Sequence, residues 1–167
     1  MNDELTSLDI EKMRAELDER RLKLMPELIE EVKRTRAFGD LSENYEYKAA
    51  KQAQNRNKSR IRYLERMIES ARVIDDRSGA DEVGLFDKVE LYIPEDGETQ
   101  VVQVVTTVRC DPLSGFVSNK SPLGRVLLGK KVGDTVTVQA SESCSYEAEI
   151  RSITKQNDDG SAPLLQY

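Results

Sequence analysis

The 167-residue sequence contains no histidine, no tryptophan and only two cysteines. Without histidine the chain cannot form a Ser-His-Asp triad, a Cys-His pair or an HExxH zinc site. Any chemistry in which it takes part must therefore rest on carboxylates. Cys110 and Cys144 form neither a CxxC motif nor a zinc-binding spacing, so we predict two unpaired thiols in a reducing compartment.

Long apolar segments are missing as well. No run approaches the roughly 18 apolar residues that span a bilayer, and the N-terminal MNDELTSLD lacks the basic and apolar regions of a signal peptide. We therefore expect a cytoplasmic protein with no membrane partner. Charged residues make up 34% of the chain and aromatic residues 5%, which favours long solvated helices as much as a thick core.

The chain divides into two halves of different composition. Residues 1–76 hold 16 Lys+Arg and 17 Asp+Glu with one Gly and one Pro, whereas 77–167 hold 9 and 14 with eight Gly and four Pro. We predict an α+β protein: a coiled-coil finger over 1–76, a linker over 77–84, a β domain over 85–155 and a flexible tail over 156–167.

The first half shows two helical patterns. Thr6 and Asp9 form a capping-box-like start, and apolar residues follow at helical spacing. Pro26 predicts a kink, and Gly39 suits the end of the first helix. A second pattern then begins, with heptad spacing from Asn57 onward.

These two patterns predict an antiparallel coiled-coil hairpin, because the numbers of opposed apolar positions share a constant sum. The pairs are Ile10/Ala71, Met13/Ile68, Leu17/Leu64 and Leu24/Asn57. The turn then falls near residue 40, and arms of about 30 residues would be roughly 45 Å long.

The second half is typical of a small antiparallel β domain with one short helix. Runs rich in Val, Thr and Tyr predict strands at Lys88–Ile93, Thr99–Val108, Gly115–Ser118, Asp134–Gln139 and Tyr146–Ile153. Ser121 and Pro122 suit the start of the helix and Gly129 its end.

Two carboxylates lie at the predicted hairpin turn, in the segment FGDLSENYEY (38–47). Asp40 and Glu43 are three positions apart where the turn becomes a helix. Acidic and hydroxyl residues there are ordinary helix caps. At the end of a long finger, however, the same carboxylates could enter a partner's cleft and share a hard cation such as Mg²⁺. The local sequence leaves both interpretations open.

A basic window follows the turn. Residues 48–66 carry a single Glu65 and seven cations: Lys48, Lys51, Arg56, Lys58, Arg60, Arg62 and Arg66. The spacing of Lys48, Lys51, Lys58 and Arg62 predicts one helix face that can bind a phosphate backbone. Alternatively, the cations form a solvated face that pairs with acids of the first helix: Glu27, Glu30 and Glu31. A basic face leading to an acidic tip suits guiding a polyanion to a metal centre.

Long stretches of the chain closely resemble the bacterial transcript cleavage factors of the GreA/GreB family, with the GreA type favoured. The matching segments are Leu5-Thr6, Pro26–Ile29, the tip GDLSENYEYKAAKQAQ (39–54), Val73–Asp75 and SNKSPLGRVLLGKKVGDTV (118–136). The resemblance thus covers nearly the whole chain, and the tip is its most specific part.

This resemblance implies that the coiled coil enters the secondary channel of RNA polymerase. Asp40 and Glu43 would help to hold an Mg²⁺ shared with the polymerase active site, not bound stably by the isolated protein, and would orient the attacking water. The polymerase then cuts its own backtracked RNA, so the factor is not itself an enzyme. Residues expected to shape the tip are Gly39, Leu41, Ser42, Asn44, Tyr45 and Tyr47, with Tyr45 or Tyr47 packing beneath it or meeting the RNA 3′ end. Residues expected to bind RNA are Lys48, Lys51, Arg56, Lys58 and Arg62.

By the same resemblance, the C-terminal domain is similar to FKBP-type folds and grips the polymerase through Ser118, Ser121 and Pro122, as a monomer. The segment 140–145 departs from the family's Pro-Gly-Gly-type turn, and Lys120 replaces an uncharged or acidic residue. Three other functions are alternatives: a channel-binding inhibitor, a prolyl isomerase and a coiled-coil adaptor. The intact tip carboxylates argue against the inhibitor, and the scarcity of aromatic residues argues against the isomerase.

Overall fold

The computed structural model describes residues 3–39 and 44–166, and the chain forms two compact units. The helical unit spans Ile10–Ala71, and the globular unit combines Glu4–Asp9 with Arg72–Gln166. Within the described ranges, no helix is both long and apolar enough to cross a membrane.

The first arm of the hairpin is helical along its whole length but changes type in the middle. Helix α1 (Ser7–Glu19) passes into a π-helical segment (Arg20–Leu24) and then into α2 (Met25–Arg36). The predicted capping box is confirmed, because Thr6 N donates to Asp9 Oδ2 at 2.9 Å and Asp9 N donates to Thr6 Oγ1 at 3.2 Å.

The irregularity predicted at Pro26 takes the form of that π segment, which ends just before the proline. Proline lacks an N–H, and its ring conflicts with the carbonyl four residues earlier in a regular α-helix. A wider π turn accommodates this conflict while the chain remains helical. The proline therefore changes the type of helix locally without ending it.

The second arm is a single helix, α3 (Tyr45–Ser70), and α2 packs against it. Antiparallel pairing is confirmed, and Leu17 and Leu64, which the prediction pairs, are both buried. Asn57 also contacts Arg20: Arg20 Nη1 donates to Asn57 Oδ1 at 3.1 Å, and Asn57 Nδ2 donates to the Arg20 carbonyl at 3.3 Å. The buried face of the hairpin therefore includes polar contacts at Asn57 beside its apolar residues.

One ion pair crosses the buried face of the hairpin. Arg60 donates from Nε and Nη2 to the two carboxylate oxygens of Glu16 at 2.9 and 3.0 Å. Arg20 Nε also donates to Glu16, at 2.7 Å. Although Arg60 belongs to the basic window, it is buried and takes part in helix packing.

The Glu16 carboxyl should make the stability of the hairpin depend on pH. Burial acts to raise the pKa of Glu16, but hydrogen bonds and charges from Arg60 and Arg20 outweigh it, so the net pKa lies below 4.5. A lowered folded-state pKa gives stability that is present above the unfolded value and is lost as pH falls through the folded value. We expect the free energy of unfolding of wild type to exceed that of Glu16→Gln at neutral pH.

This difference should shrink as pH falls below 4.5. Urea unfolding followed by circular dichroism of the full chain measures it, with Glu19→Gln, an exposed position on the same helix, as the charge-matched control. A difference that stays constant from neutral to acidic pH would contradict the assignment.

The globular unit contains two sheets. A short parallel pair, β1 (Glu4–Leu5) and β2 (Arg72–Val73), joins the segment before the hairpin to the segment after it. The main sheet has the order β5-β4-β3-β7-β6. Its strands are β3 (Lys88–Ile93), β4 (Glu98–Val105), β5 (Phe116–Ser118), β6 (Thr135–Gln139) and β7 (Ser145–Thr154). Only β4 and β5 are parallel within this described sheet.

The predicted strands and short helix are confirmed with small shifts at their ends. Helix α4 (Pro122–Leu127) is capped by Ser121, whose Oγ accepts from Gly124 N at 3.0 Å. The core is built from alternate residues of the strands together with Leu127. The segment 140–145, which departs from the family's turn, closes the hairpin between β6 and β7 through Ala140 N donating to the Cys144 carbonyl at 3.0 Å. Cys110 and Cys144 are free thiols.

The segment 77–84 differs from the predicted linker because its end is folded into the globular unit. Val83 is buried in the core, and its N–H donates to the Lys130 carbonyl at 2.8 Å. Gly84 N donates to the buried Asp87 carboxylate at 2.7 Å. Its polar, Gly-containing composition is therefore that of a capped turn rather than of a free linker.

A buried guanidinium lies where β4 ends. The predicted strand 99–108 stops at Val105, and a 3₁₀ turn (Thr107–Arg109) follows it. The Arg109 side chain is 0% exposed. Its Nε donates to Asp9 Oδ1 at 2.5 Å, and its Nη1 and Nη2 donate to the two oxygens of Asp158 at 2.6 and 2.7 Å.

The same guanidinium stacks on the ring of Phe86, with Cζ 5.0 Å from the ring centroid. Phe86 has a φ of +67°, a conformation that disfavours a bulky residue and costs on the order of 1–3 kcal/mol. The contacts around Arg109 help to offset this cost, because the buried charge is attracted to the ring as well as to the two carboxylates.

The C-terminal tail differs from the predicted flexible end. Asp158 binds Arg109, Ala162 is buried in the core, and Leu165 N donates to the Val108 carbonyl at 2.7 Å. A buried arginine needs charged partners, and the tail supplies one of them. The apolar periodicity of the sequence does not reveal that Arg109 is buried, and so it does not reveal that the tail must pack against it.

We expect Asp158→Asn to lower the free energy of unfolding by about 3 kcal/mol, because it removes one of two charges that neutralise a buried cation. Asp159→Asn is the matched control: Asp159 is exposed, and its change should stay within about 0.5 kcal/mol. Urea denaturation of the full chain compares the two variants. Equal and small effects would show that Asp158 contributes nothing to the burial of Arg109.

Candidate functional site

The end of the helical hairpin is held together by Asn44. Its Nδ2 donates to the Thr35 carbonyl at 2.6 Å, and its Oδ1 accepts from Tyr47 N at 2.9 Å. Phe38 N donates to the same Thr35 carbonyl at 3.2 Å. One asparagine therefore caps α3 and also ties it to the last turn of α2.

Thr35 is the anchor for this arrangement. Its side chain is buried, and its hydroxyl donates back to the Glu31 carbonyl at 2.8 Å. Gly39, where the chain leaves the first arm, has a φ of +116°, a conformation available to glycine at little cost. These contacts fix the end of the first arm and the start of α3.

The candidate catalytic and metal-binding residues, Asp40 and Glu43, lie outside the described residues, as do Leu41 and Ser42. Their roles therefore stay predictions. In the sequence they lie between Gly39 and Asn44, and Asn44 forms a clamp with Thr35. Among residues 3–39 and 44–166, no group of three or more acidic or cysteine side chains is arranged to hold a metal ion.

Two aromatic rings are exposed beside this clamp. Phe38 is 58% exposed and Tyr45 is 82% exposed, whereas Tyr47 is half-buried. Arg34 Cζ lies 5.3 Å from the centroid of the Phe38 ring, and Lys48 Nζ lies 5.6 Å from that of Tyr45. Tyr45 and Tyr47 are both among the predicted tip residues, whereas Phe38 is a candidate that no sequence pattern had indicated.

Arg34 is held in place by a neighbouring acid. Its Nε donates to Glu31 Oε2 at 2.9 Å, and this hydrogen bonding keeps the pKa of the exposed Glu31 carboxyl below its ordinary value. Lys33 pairs with Glu30 in the same way, at 2.8 Å. Two of the three acids proposed as partners for the basic window thus pair within their own helix.

The basic stripe comprises five residues of α3 that are all exposed: Lys48, Lys51, Arg56, Lys58 and Arg62. Within the described part of the chain, no ion pair involves four of them: Lys51, Arg56, Lys58 and Arg62. The stripe therefore presents positive charge to solvent, which favours the polyanion-binding interpretation over pairing with the first arm.

The predicted contact loop of the globular unit is built differently from the sequence-based expectation. Ser118 is buried, and Ser121 caps α4 and donates from Oγ to the Ser118 carbonyl at 2.7 Å. A side chain at Gly124 would place Cβ 2.0 Å from that carbonyl oxygen, so glycine is required there. Pro122 is exposed and is the member of the predicted set best placed to contact a partner.

Lys120, which departs from the family pattern, has a partner within the globular unit. Its Nζ lies 2.5 Å from a carboxylate oxygen of Glu4, and this hydrogen bond lowers the pKa of Glu4. The charge is thus partly satisfied near the start of the chain.

The chain thus combines a helical hairpin with a small β unit. The end of the hairpin is clamped and flanked by cations, which is the architecture of a two-unit coiled-coil factor. Comparison with known proteins gives the family. The model for the N-terminal part of GreA/GreB transcription elongation factors matches residues 4–73, and the model for the C-terminal part matches 78–155. The chain therefore belongs to the GreA/GreB family of transcription elongation factors.

Individual relatives agree with this assignment. The transcription elongation factor GreA of Lactococcus lactis subsp. cremoris (strain MG1363) is 42% identical over 80% of this chain and 86% of its own. GreA of Thermotoga petrophila is 42% identical over 81% of this chain and 87% of its own. The solved structure of GreA factor homolog 1 of Thermus thermophilus is 28% identical over 93% of this chain and all of its own, with a TM-score of 0.42. This score is low, so the assignment rests on the sequences.

We expect Asn44→Ala to lower the free energy of unfolding of the hairpin by about 1–2 kcal/mol, because it removes a helix cap and the bond to Thr35. Asn44→Asp keeps the cap oxygen but loses the amide donor, so its free energy of unfolding should lie between those of wild type and Asn44→Ala. Hydrogen exchange at the Tyr47 amide measures the local effect in the full chain. Unchanged protection in both variants would show that Asn44 does not hold the hairpin end.

Proposed function

We propose that this protein binds bacterial RNA polymerase, inserts its helical hairpin into the secondary channel and stimulates the polymerase's own cleavage of backtracked RNA 3′ ends. The observation that carries this proposal is the hairpin end. Asn44 and Thr35 form a clamp there, two carboxylates precede Asn44 in the sequence, and an exposed basic stripe follows along α3. The factor is not an enzyme by itself, because the active centre would belong to the polymerase.

The two carboxylates suit a shared magnesium ion in charge and chemistry. Asp40 and Glu43 offer hard oxygen ligands, which Mg²⁺ prefers. Two ligands are too few for its octahedral shell, so the polymerase would supply others, and the isolated factor would not hold the ion stably. When bound, Mg²⁺ supplies Lewis-acid stabilisation and a more acidic water for attack on the phosphodiester. Asp40 and Glu43 would orient that water.

The basic stripe would attract the RNA that emerges ahead of the turn. Exposed cations along a helix interact with phosphates through a long-range, salt-dependent attraction. Placed behind the carboxylates, this charge offsets the repulsion between an acidic turn and an RNA end. The two features then act on the same substrate, one on its backbone and the other at its reacting end.

The globular unit would provide the grip on the polymerase. Pro122 stands exposed at the start of α4, while Ser118 and Ser121 shape the loop beneath it through their hydrogen bonds. Because this surface is separate in sequence from the hairpin turn, changes to the turn should affect cleavage and leave binding intact. The same separation makes the proposal testable.

We expect Asp40→Asn and Glu43→Gln each to reduce stimulated cleavage by about 100-fold or more, because each removes an anionic ligand from a metal-dependent transition state. The measurement is RNA 3′-end cleavage in backtracked elongation complexes of a bacterial polymerase with Mg²⁺. It compares no factor, wild type, each single variant and the double variant. Binding of each variant to the same complexes is the control and should change less than about threefold.

Two outcomes would contradict the proposal. If wild type binds but slows both cleavage and elongation, the protein is a channel-binding inhibitor on the same scaffold. If the carboxylate variants stimulate cleavage as well as wild type, the hairpin acts as an adaptor and Asp40 and Glu43 are caps.

A further inference from the structure

We propose that Phe38 and Tyr45 form a stacking site for an unpaired base at the RNA 3′ end. This inference rests on the proposed function and specifies how the hairpin end holds its substrate. It adds Phe38 to the substrate-binding residues and selects Tyr45, not Tyr47, as the tyrosine that meets the RNA end.

The geometry of the clamp brings the two residues to one place. Phe38 N and Asn44 Nδ2 both donate to the Thr35 carbonyl oxygen, at 3.2 and 2.6 Å. Tyr45 follows Asn44 directly. The Phe38 backbone and the Asn44 side chain therefore meet at a single acceptor atom, and Asp40 and Glu43 lie between the two residues in the sequence.

The exposure of the rings needs an explanation. Single exposed apolar residues are common on protein surfaces, but here two of the chain's nine aromatic residues flank one turn, at 58% and 82% exposure. Neither contributes to the core of the hairpin. An aromatic face in water binds bases with little regard to sequence, since every base has a π-face.

The charges beside the rings favour a nucleic acid over an apolar protein surface. Each ring has a cation against it: Arg34 beside Phe38 and Lys48 beside Tyr45, at 5.3 and 5.6 Å. Lys48 is also the first residue of the basic stripe, so the ring of Tyr45 lies at the end of a row of positive charges along α3. A groove that combines cations with stacking rings is the general arrangement for single-stranded nucleic acid.

We expect Phe38→Leu and Tyr45→Leu each to lower the apparent second-order rate of stimulated cleavage by about tenfold, as loss of one stacked ring does in single-strand binding. Tyr45→Phe and Phe38→Tyr keep a ring and should remain within about twofold of wild type. Tyr63→Leu is the matched control. Tyr63 lies on the same helix between Arg60 and Arg66, at 5.1 and 6.0 Å, but about 27 Å along the axis from Tyr45.

A second series changes the RNA instead of the protein. In each backtracked complex, one unpaired nucleotide near the RNA 3′ end is replaced by an abasic nucleotide, and the series covers every unpaired position. The cleavage rate without factor is the baseline for each RNA. If the rings stack on a base, one abasic position should lower the wild-type rate about tenfold and should remove the difference between wild type and the leucine variants. Equal losses in the variants on normal and abasic RNA would overturn the inference.

The failure of this inference can be distinguished from the failure of the proposed function. Wild type that does not stimulate cleavage at all contradicts the proposed function. Wild type that stimulates cleavage, with leucine variants that match it on every RNA, contradicts only the stacking site. Leucine variants that bind less tightly to complexes lacking an unpaired 3′ end show that the rings contact the polymerase, which also overturns the inference.

Discussion

The burial of one positive charge, that of Arg109, is the constraint on which the globular unit depends. A guanidinium removed from water needs negative partners, and it finds them in Asp9, near the start of the chain, and Asp158, near its end. The ring of Phe86, in an unfavourable backbone conformation, lies against the same group. Asp9 and Asp158, which are 149 positions apart in the sequence, thus lie against a single side chain.

A second polar arrangement controls the hairpin. Hydrogen bonds between Asn57 and Arg20 and the ion pair between Arg60 and Glu16 join its two arms. Asn44 sets the end of the hairpin, because its side chain accepts from the Tyr47 amide to cap α3 and donates to the Thr35 carbonyl of the other arm. Apolar burial drives the two arms together, but it does not discriminate well between registers one turn apart. The directional polar contacts provide that discrimination, and they also determine which residues flank the candidate site.

Much of this molecule could be predicted from local sequence. The capping box at Thr6 and Asp9, the cap at Ser121, the strands and the antiparallel hairpin follow from short-range propensity and periodicity, and the structure confirms them. The family resemblance through the tip motif is likewise confirmed by the matches of both family models. The placement of the two tip carboxylates suggested a shared cation, the resemblance specified their roles, and the acidic pair itself lies outside the described residues.

The sequence by itself determined the α+β class, the order of the elements and the family, because these depend on patterns a few residues long. Only the tertiary structure decided the polar contacts between the hairpin arms, the π segment before Pro26, the packing of the C-terminal tail and the exposure of Phe38 and Tyr45. The physical reason is common to all four. Each depends on a polar or steric contact with a particular partner, and a one-dimensional pattern of apolar residues does not specify which partner that is.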